Sequence, residues 1–128
     1  MRITERDLLI YILDDEQEIL DLLDFHFTKN GYSIVTFNTI EKFYKALEFM
    51  IPNVVITDLV FGSEKGSVLI EFLNYNFPDI EVFVMSGFLT AENKLRISDK
   101  FVRKIVTKPF DIEEFSQNFM GMLSSPMV

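Results

Sequence analysis

Four short apolar runs constrain this chain more than any other feature: Leu8-Leu9-Ile10-Tyr11-Ile12-Leu13, Val54-Val55-Ile56-Thr57, Val82-Phe83-Val84-Met85 and Ile105-Val106-Thr107. Each has strand length and lacks the apolar-polar alternation of a half-solvated strand, so each reads as a strand covered on both faces. Each is also followed at once by a polar or charged group. Asp14 and Asp15 follow the first run, Asp58 the second, Ser86 the third and Lys108 the fourth. If the strands are parallel, these five groups meet at one edge of the sheet.

The segments between the runs carry helical spacing. Ile19, Leu22, Leu23, Phe25 and Phe27, with the Lys29-Asn30-Gly31 end signal, predict a helix from about Glu16 to Lys29. Tyr32 to Phe37 reads as a fifth strand. Phe43, Ala46, Leu47 and Met50 mark a second helix that stops near Pro52, and Val68, Leu69, Phe72 and Leu73 a third that ends before Pro78. Between them, residues Phe61 to Gly66 read as a polar, glycine-bearing loop. Thr90 caps a fourth helix over Ala91 to Lys100, and Asp111 with Glu114 opens a fifth with Ile112, Phe115, Phe119 and Met122 on one stripe. Alternating strands and helices predict an α/β fold with a five-stranded parallel sheet and five helices over its two faces. A chain of 128 residues holds one such domain, with a folded core of about residues 7–124.

A formal net charge of −8 disfavours non-specific attraction to nucleic acid or anionic lipid, so neither is expected as a partner of this chain. Cysteine is absent, which excludes disulfides and thiolate metal sites. The N-terminus lacks a signal-type apolar core and no run approaches ~18 apolar residues, so a cytoplasmic location is expected. The 14 Phe residues are expected mainly in the core, with Phe88, Phe101 and Phe110 as exceptions.

Three carboxylates at one sheet edge repel one another, and a bound cation is the simplest way to keep them all ionised. With no Cys and only His26, the donors are hard oxygens, which suit Mg²⁺ better than zinc or copper. Asp15 and Asp58 are the expected direct ligands, with Asp14 acting through water. Asp58, alone at its strand end, is also a candidate nucleophile for an aspartyl-phosphate. Mg²⁺, Lys108 and the Ser86 hydroxyl would then each meet one phosphoryl oxygen. Taken singly, these features have plainer readings: Asp14-Asp15 as a helix N-terminus, Asp58 as a turn residue, Ser86-Gly87 and Lys108-Pro109 as loop dipeptides. His26 reads as a surface or packing residue.

The set as a whole, Leu13-Asp14-Asp15-Glu16, Thr57-Asp58-Leu59, Gly66 eight residues after Asp58, Ser86-Gly87 and Lys108-Pro109-Phe110, resembles the receiver domain of two-component response regulators over essentially the whole chain. The resemblance implies a flavodoxin-like three-layer sandwich with strand order 2-1-3-4-5. It also implies Mg²⁺ held by Asp14, Asp15, Asp58 and the Val60 backbone carbonyl. Asp58 would be phosphorylated by a sensor histidine kinase or phosphotransfer protein, with Ser86 and Lys108 as the other catalytic groups. The implied output is a switched face that acts on a partner, on an output domain or through a phosphorylation-dependent dimer, without turnover of an external substrate.

This chain departs from the family pattern at several places. Gly62 stands where the family carries Pro, Ile105 where it carries Tyr or Phe, and Phe101-Val102 where it carries Gly-Ala. Val60 and Phe88 make the rim of the site apolar, which is expected to slow self-dephosphorylation. Two other functions compete: a Mg²⁺-dependent aspartyl-phosphate phosphatase, against which Val60 stands where a general acid is needed, and a scaffold that binds partners without phosphorylation.

Overall fold

The computed structural model describes residues 8–58, 60–61, 64–86 and 102–107. In chain order these form β1 (Leu9–Leu13), α1 (Gln17–Lys29), β2 (Ser33–Phe37), α2 (Ile40–Leu47), β3 (Val54–Asp58), β4 (Val60–Phe61), β5 (Glu64–Lys65), α3 (Gly66–Asn76), β6 (Glu81–Ser86) and β7 (Val102–Thr107). The expected fourth and fifth helices, Lys108, and Phe88, Phe101 and Phe110 lie outside the described residues.

Five strands form one sheet in the order β2-β1-β3-β6-β7, every adjacent pair parallel. Numbered without the small β4–β5 pair, this is the expected 2-1-3-4-5. The chain steps from β1 outward to β2, then returns past β1 to β3 and continues in that direction. Right-handed crossovers require such a reversal of direction to place the connecting helices on opposite faces. The core divides accordingly. Leu20, Leu23 and Phe27 of α1 pack with Ile10, Ile12, Val54, Ile56, Phe83 and Met85 on one face. On the other, Phe43 and Leu47 of α2 and Leu69, Ile70 and Leu73 of α3 pack with Tyr11, Leu13, Val55, Val82 and Val84. Alternate residues of β1, β3 and β6 thus serve two cores, which is why those runs are apolar.

Local chemistry sets the element ends. The backbone N–H groups of Asn30 and Gly31 donate to the carbonyls of Phe27 and Thr28, closing α1, and Gly31 takes φ 93°, a conformation that costs a residue with a Cβ. Thr39 caps α2 by accepting from the Lys42 N–H at 3.4 Å. Asn53 clamps the lower edge of the sheet: its Oδ1 accepts from the Leu9 N–H at 2.9 Å, its own N–H donates to the Leu9 carbonyl, and its carbonyl accepts from the Glu81 N–H. That clamp holds β1, β3 and β6 in register. Tyr11, edge-on to Phe37 and Phe43 in the core, donates its hydroxyl to the Met50 carbonyl at 2.8 Å and ties down the turn before β3. Burial pushes that hydroxyl's pKa above its ordinary 10.0.

Two expectations need correction. Residues Phe61 to Gly66 are not a plain loop: Val60 and Phe61 pair antiparallel with Lys65 and Glu64, and α3 begins at Gly66 itself. The core does not take up every Phe before residue 88 either, since Phe25 and Phe49 are 62% and 85% exposed. Helical spacing puts Phe25 beside the α1 stripe, and Phe49 follows the end of α2, beyond its buried face.

Candidate functional site

Register carries the argument from strands to site. Leu13 of β1 is level with Thr57 of β3, and Thr57 with Val84 of β6 and through it Ile105 of β7. One step further along the chain, Asp14 comes level with Asp58, and Asp58 pairs with Met85. Adjacent strands lie about 4.8 Å apart, so two carboxylate-bearing residues sit side by side at the carboxyl ends of neighbouring central strands. Between β1 and β3 the strand order reverses, the place where open α/β sheets form their ligand crevice. One further step brings Ser86, level with Thr107, to the ends of β6 and β7. Lys108 follows Thr107 directly in the chain.

Asp14 is fully buried and Asp58 nearly so, at 0% and 7% exposure. Burying a carboxylate is costly unless its charge is met, and here part of the answer is local. The Asp14 Oδ1 accepts from the Glu16 N–H at 2.8 Å, a turn of the kind Asp forms with the residue two positions on. Its own N–H donates to the Phe37 carbonyl of β2 at 3.2 Å. These bonds fix Asp14 between strand and helix, while Asp15 and Glu16 turn outward into solvent. On β3 the Thr57 hydroxyl donates to the Asp58 carbonyl at 3.0 Å, so it is satisfied inside the core and does not reach the crevice.

Among the described residues, carboxylate oxygens of Asp14, Asp15 and Glu16 come within 4.8 Å of one another. Such an all-oxygen anionic group fits Mg²⁺, which is bound through one or two carboxylates while keeping several waters. Glu16 was expected as a helix start, and the structure adds it to the acidic group; three consecutive acidic residues after an apolar run were the signal. Asp58 is not a member of that group, and joins Asp14 through strand register instead. Two strand ends also proved longer than the apolar runs, because Asp58 and Ser86 are the last residues of β3 and β6 rather than the first beyond them. His26 lies near the surface of α1 with its ring 5.5 Å from that of Phe25, far along the helix from the acidic group.

Among known families, the response regulator receiver domain matches residues 10–119. The transcriptional regulatory protein KdpE of Mycobacterium tuberculosis is 31% identical over 107 residues, which cover 84% of this chain and 47% of KdpE. The chain thus spans about half the length of the curated relative it matches. A receiver domain protein of Methanospirillum hungatei superposes with a TM-score of 0.82 at 20% identity, covering 91% of this chain and 93% of that one. A response regulator from Burkholderia pseudomallei, whose crystal structure holds a phosphorylated aspartic acid and a calcium ion, gives a TM-score of 0.76 at 18% identity, covering 95% and 77%. At these identities the two structures show a shared fold. No helix among the described residues is long and apolar enough to cross a membrane.

Proposed function

The chain belongs to the response regulator receiver domain family, and on that premise we propose that Asp58 is the phosphoacceptor of a two-component or phosphorelay system. The observation that carries the reading is the level placement of Asp14 and Asp58 at the point of strand-order reversal. A carboxylate oxygen of Asp58 attacks the phosphorus of a phosphohistidine on a sensor kinase or phosphotransfer protein. The P–N bond breaks, an acyl phosphate O–P bond forms, and the imidazole leaves with its electron pair and takes up a proton.

Asp14, Asp15, Asp58 and the Val60 carbonyl are the residues that would hold Mg²⁺, with Glu16 at the solvent side. When bound, the cation supplies countercharge to a phosphoryl oxygen. Asp14, held by the Glu16 N–H, orients the acidic group. Lys108 and Ser86 are assigned to the remaining phosphoryl oxygens, the first as a point charge and the second as a hydroxyl donor. The role is that of a signalling module in the cytoplasm whose state is read by a partner or an output domain, without turnover of an external substrate.

The test is incubation with MgCl₂ and acetyl phosphate followed by intact-mass measurement. One added phosphoryl group is expected on the wild type and none on Asp58→Asn. Mg²⁺ binding without any adduct would overturn the phosphoacceptor role in favour of a scaffold. Phosphate release beyond one equivalent per chain from small phosphomonoesters would point to a phosphatase.

A further inference from the structure

Among the described residues, nine large apolar side chains are exposed, and six of them belong to one layer: Phe49, Met50 and Ile51 just past α2, and Val68, Phe72 and Tyr75 on α3. Val68, Phe72 and Tyr75 follow one another at four and three residues, so they line one side of the helix. That side is not the one that carries Leu69, Ile70 and Leu73 into the core. One stripe seats α3 on the sheet, and the second is left at the surface. The Phe72 ring meets Tyr44 of α2 edge-on at 5.1 Å, which joins the second stripe to the neighbouring helix. Both helices pack on the same face of the sheet and lead into parallel strands, so both end at its amino edge, away from Asp14 and Asp58. Phe49 and Tyr75, 85% and 89% exposed, stand at that end.

We propose that this α2–α3 surface is a homodimer interface, covered by the same surface of a second copy whether or not Asp58 is phosphorylated. Area supports a second copy as the occupant. At about 200 Å² for a large side chain, the six residues expose roughly 600–700 Å². Ordinary monomers stop at about 300–600 Å² for their largest apolar patch. A two-fold contact takes the same patch from each copy, so two copies cover roughly 1,200–1,400 Å² before any polar rim is counted. Stable interfaces bury about 1,200–2,000 Å², with aromatic residues and Met enriched at their centres. Charge selects the same face. Two chains of net charge −8 repel each other in general. Residues 40–51 and α3, however, hold Glu41, Glu48 and Glu71 against Lys42 and Lys45, a net of −1. The shorter α1, which exposes Leu22 and Phe25, sets Glu18, Asp21 and Asp24 against Lys29 alone, a net of −2. Two copies therefore approach with less repulsion through α2 and α3. Because the acidic site lies at the opposite edge of the sheet, pairing here leaves it open to a phosphoryl donor.

The experiment is sedimentation velocity of the full chain from about 0.1 to 100 µM, the weaker part of the affinity range for interfaces of this area. A concentration-dependent shift to twice the mass of one chain is expected, equally in EDTA and with MgCl₂ and acetyl phosphate. Phe49→Lys and Tyr75→Lys should each weaken association at least about tenfold, the scale for an aromatic anchor. Both positions are exposed, and far-ultraviolet circular dichroism checks that each variant is folded. Lysine lowers the net negative charge of each copy, so the loss is not one of added overall repulsion. Tyr75→Ser, which removes the ring and adds no charge, should weaken association in the same direction. Phe25→Lys, the matching change on α1, should leave it unchanged. A monomer throughout gives the face to a different occupant and overturns the proposal. So does a dimer untouched by the Phe49 and Tyr75 variants, or one weakened as much by Phe25→Lys. A dimer that appears only with acetyl phosphate and is lost in Asp58→Asn also overturns it.

Discussion

Replacing Asp14 by Asn is expected to stabilise the chain without metal and destabilise it, relative to wild type, with metal. The Asp14 carboxylate is fully buried, and its oxygens lie within 4.8 Å of those of Asp15 and Glu16. Two unit charges at 4.8 Å repel by about 0.9 kcal/mol at the dielectric of water and about 3.5 kcal/mol at an effective value of ~20. Because Asp15 and Glu16 are exposed, the lower figure applies, and two neighbours give about 2 kcal/mol of relief. Asn keeps the oxygen that accepts from the Glu16 N–H, but a neutral acceptor is weaker than a charged one by about 1 kcal/mol. The net gain in EDTA is about 1 kcal/mol, a rise in melting temperature of roughly 3–5 °C for a chain of this length. Saturation with Mg²⁺ at a hundred times its dissociation constant adds about 2.7 kcal/mol to the wild type and much less to Asp14→Asn. The two melting curves, followed by circular dichroism in EDTA and in MgCl₂, should therefore exchange order. An Asp14→Asn protein that melts below wild type in EDTA, or that gains as much from Mg²⁺, would refute the reasoning.

Tyr11→Phe keeps the ring among Phe37 and Phe43 but leaves the Met50 carbonyl without its donor, and chemical denaturation should show a loss of about 1 kcal/mol. Since burial raises the Tyr11 pKa above 10.0, the wild type should keep this contribution below about pH 10 and lose it as pH climbs through the raised value, a limb that Tyr11→Phe flattens. Asn53→Ala deletes the side-chain half of the β1–β3 clamp and should cost about 1 kcal/mol while also slowing acetyl-phosphate labelling of Asp58, because register at the lower edge sets the level of Asp14 and Asp58 at the upper one. Gly31→Ala meets no atom within 4 Å, so its cost of about 1 kcal/mol in urea melts should be conformational alone and should leave labelling unchanged.

β1, β3 and β6 were legible because burial on two faces favours apolar residues along most of their length, and this writes them into the sequence as apolar runs. The first helix was legible from helical spacing, but of the residues read as its stripe, Ile19, Leu22, Leu23, Phe25 and Phe27, two are exposed, Leu22 and Phe25, and the buried face is Leu20, Leu23 and Phe27. The β4–β5 hairpin escaped, although Val60-Phe61-Gly62-Ser63-Glu64-Lys65 carries a two-residue hairpin connection at its centre. Strands of two residues are too short for periodicity to register, and backbone pairing rather than side-chain burial defines them. Asn53 escaped for a related reason. An Asn after a Pro reads as turn chemistry, and its bonds reach Leu9 and Glu81, both remote in sequence.

By itself, the sequence determined the five strands of the main sheet and the first three helices, their order and the chemical identity of the groups at the strand ends, because those depend on local periodicity and on residue type. It placed Asp14, Asp15, Asp58, Ser86 and Lys108 after strands without saying which would stand beside which. Tertiary structure decided that for the described part of the site. Parallel pairing in the order β2-β1-β3-β6-β7 brings Asp14 level with Asp58 and extends β6 to Ser86. It also decided that Asp14 is buried while Asp15 and Glu16 face solvent, a distinction that three consecutive acidic residues cannot express. The physical reason is that register and burial arise from contacts between strands 20 to 44 residues apart, and no short window along the chain contains both partners of such a contact.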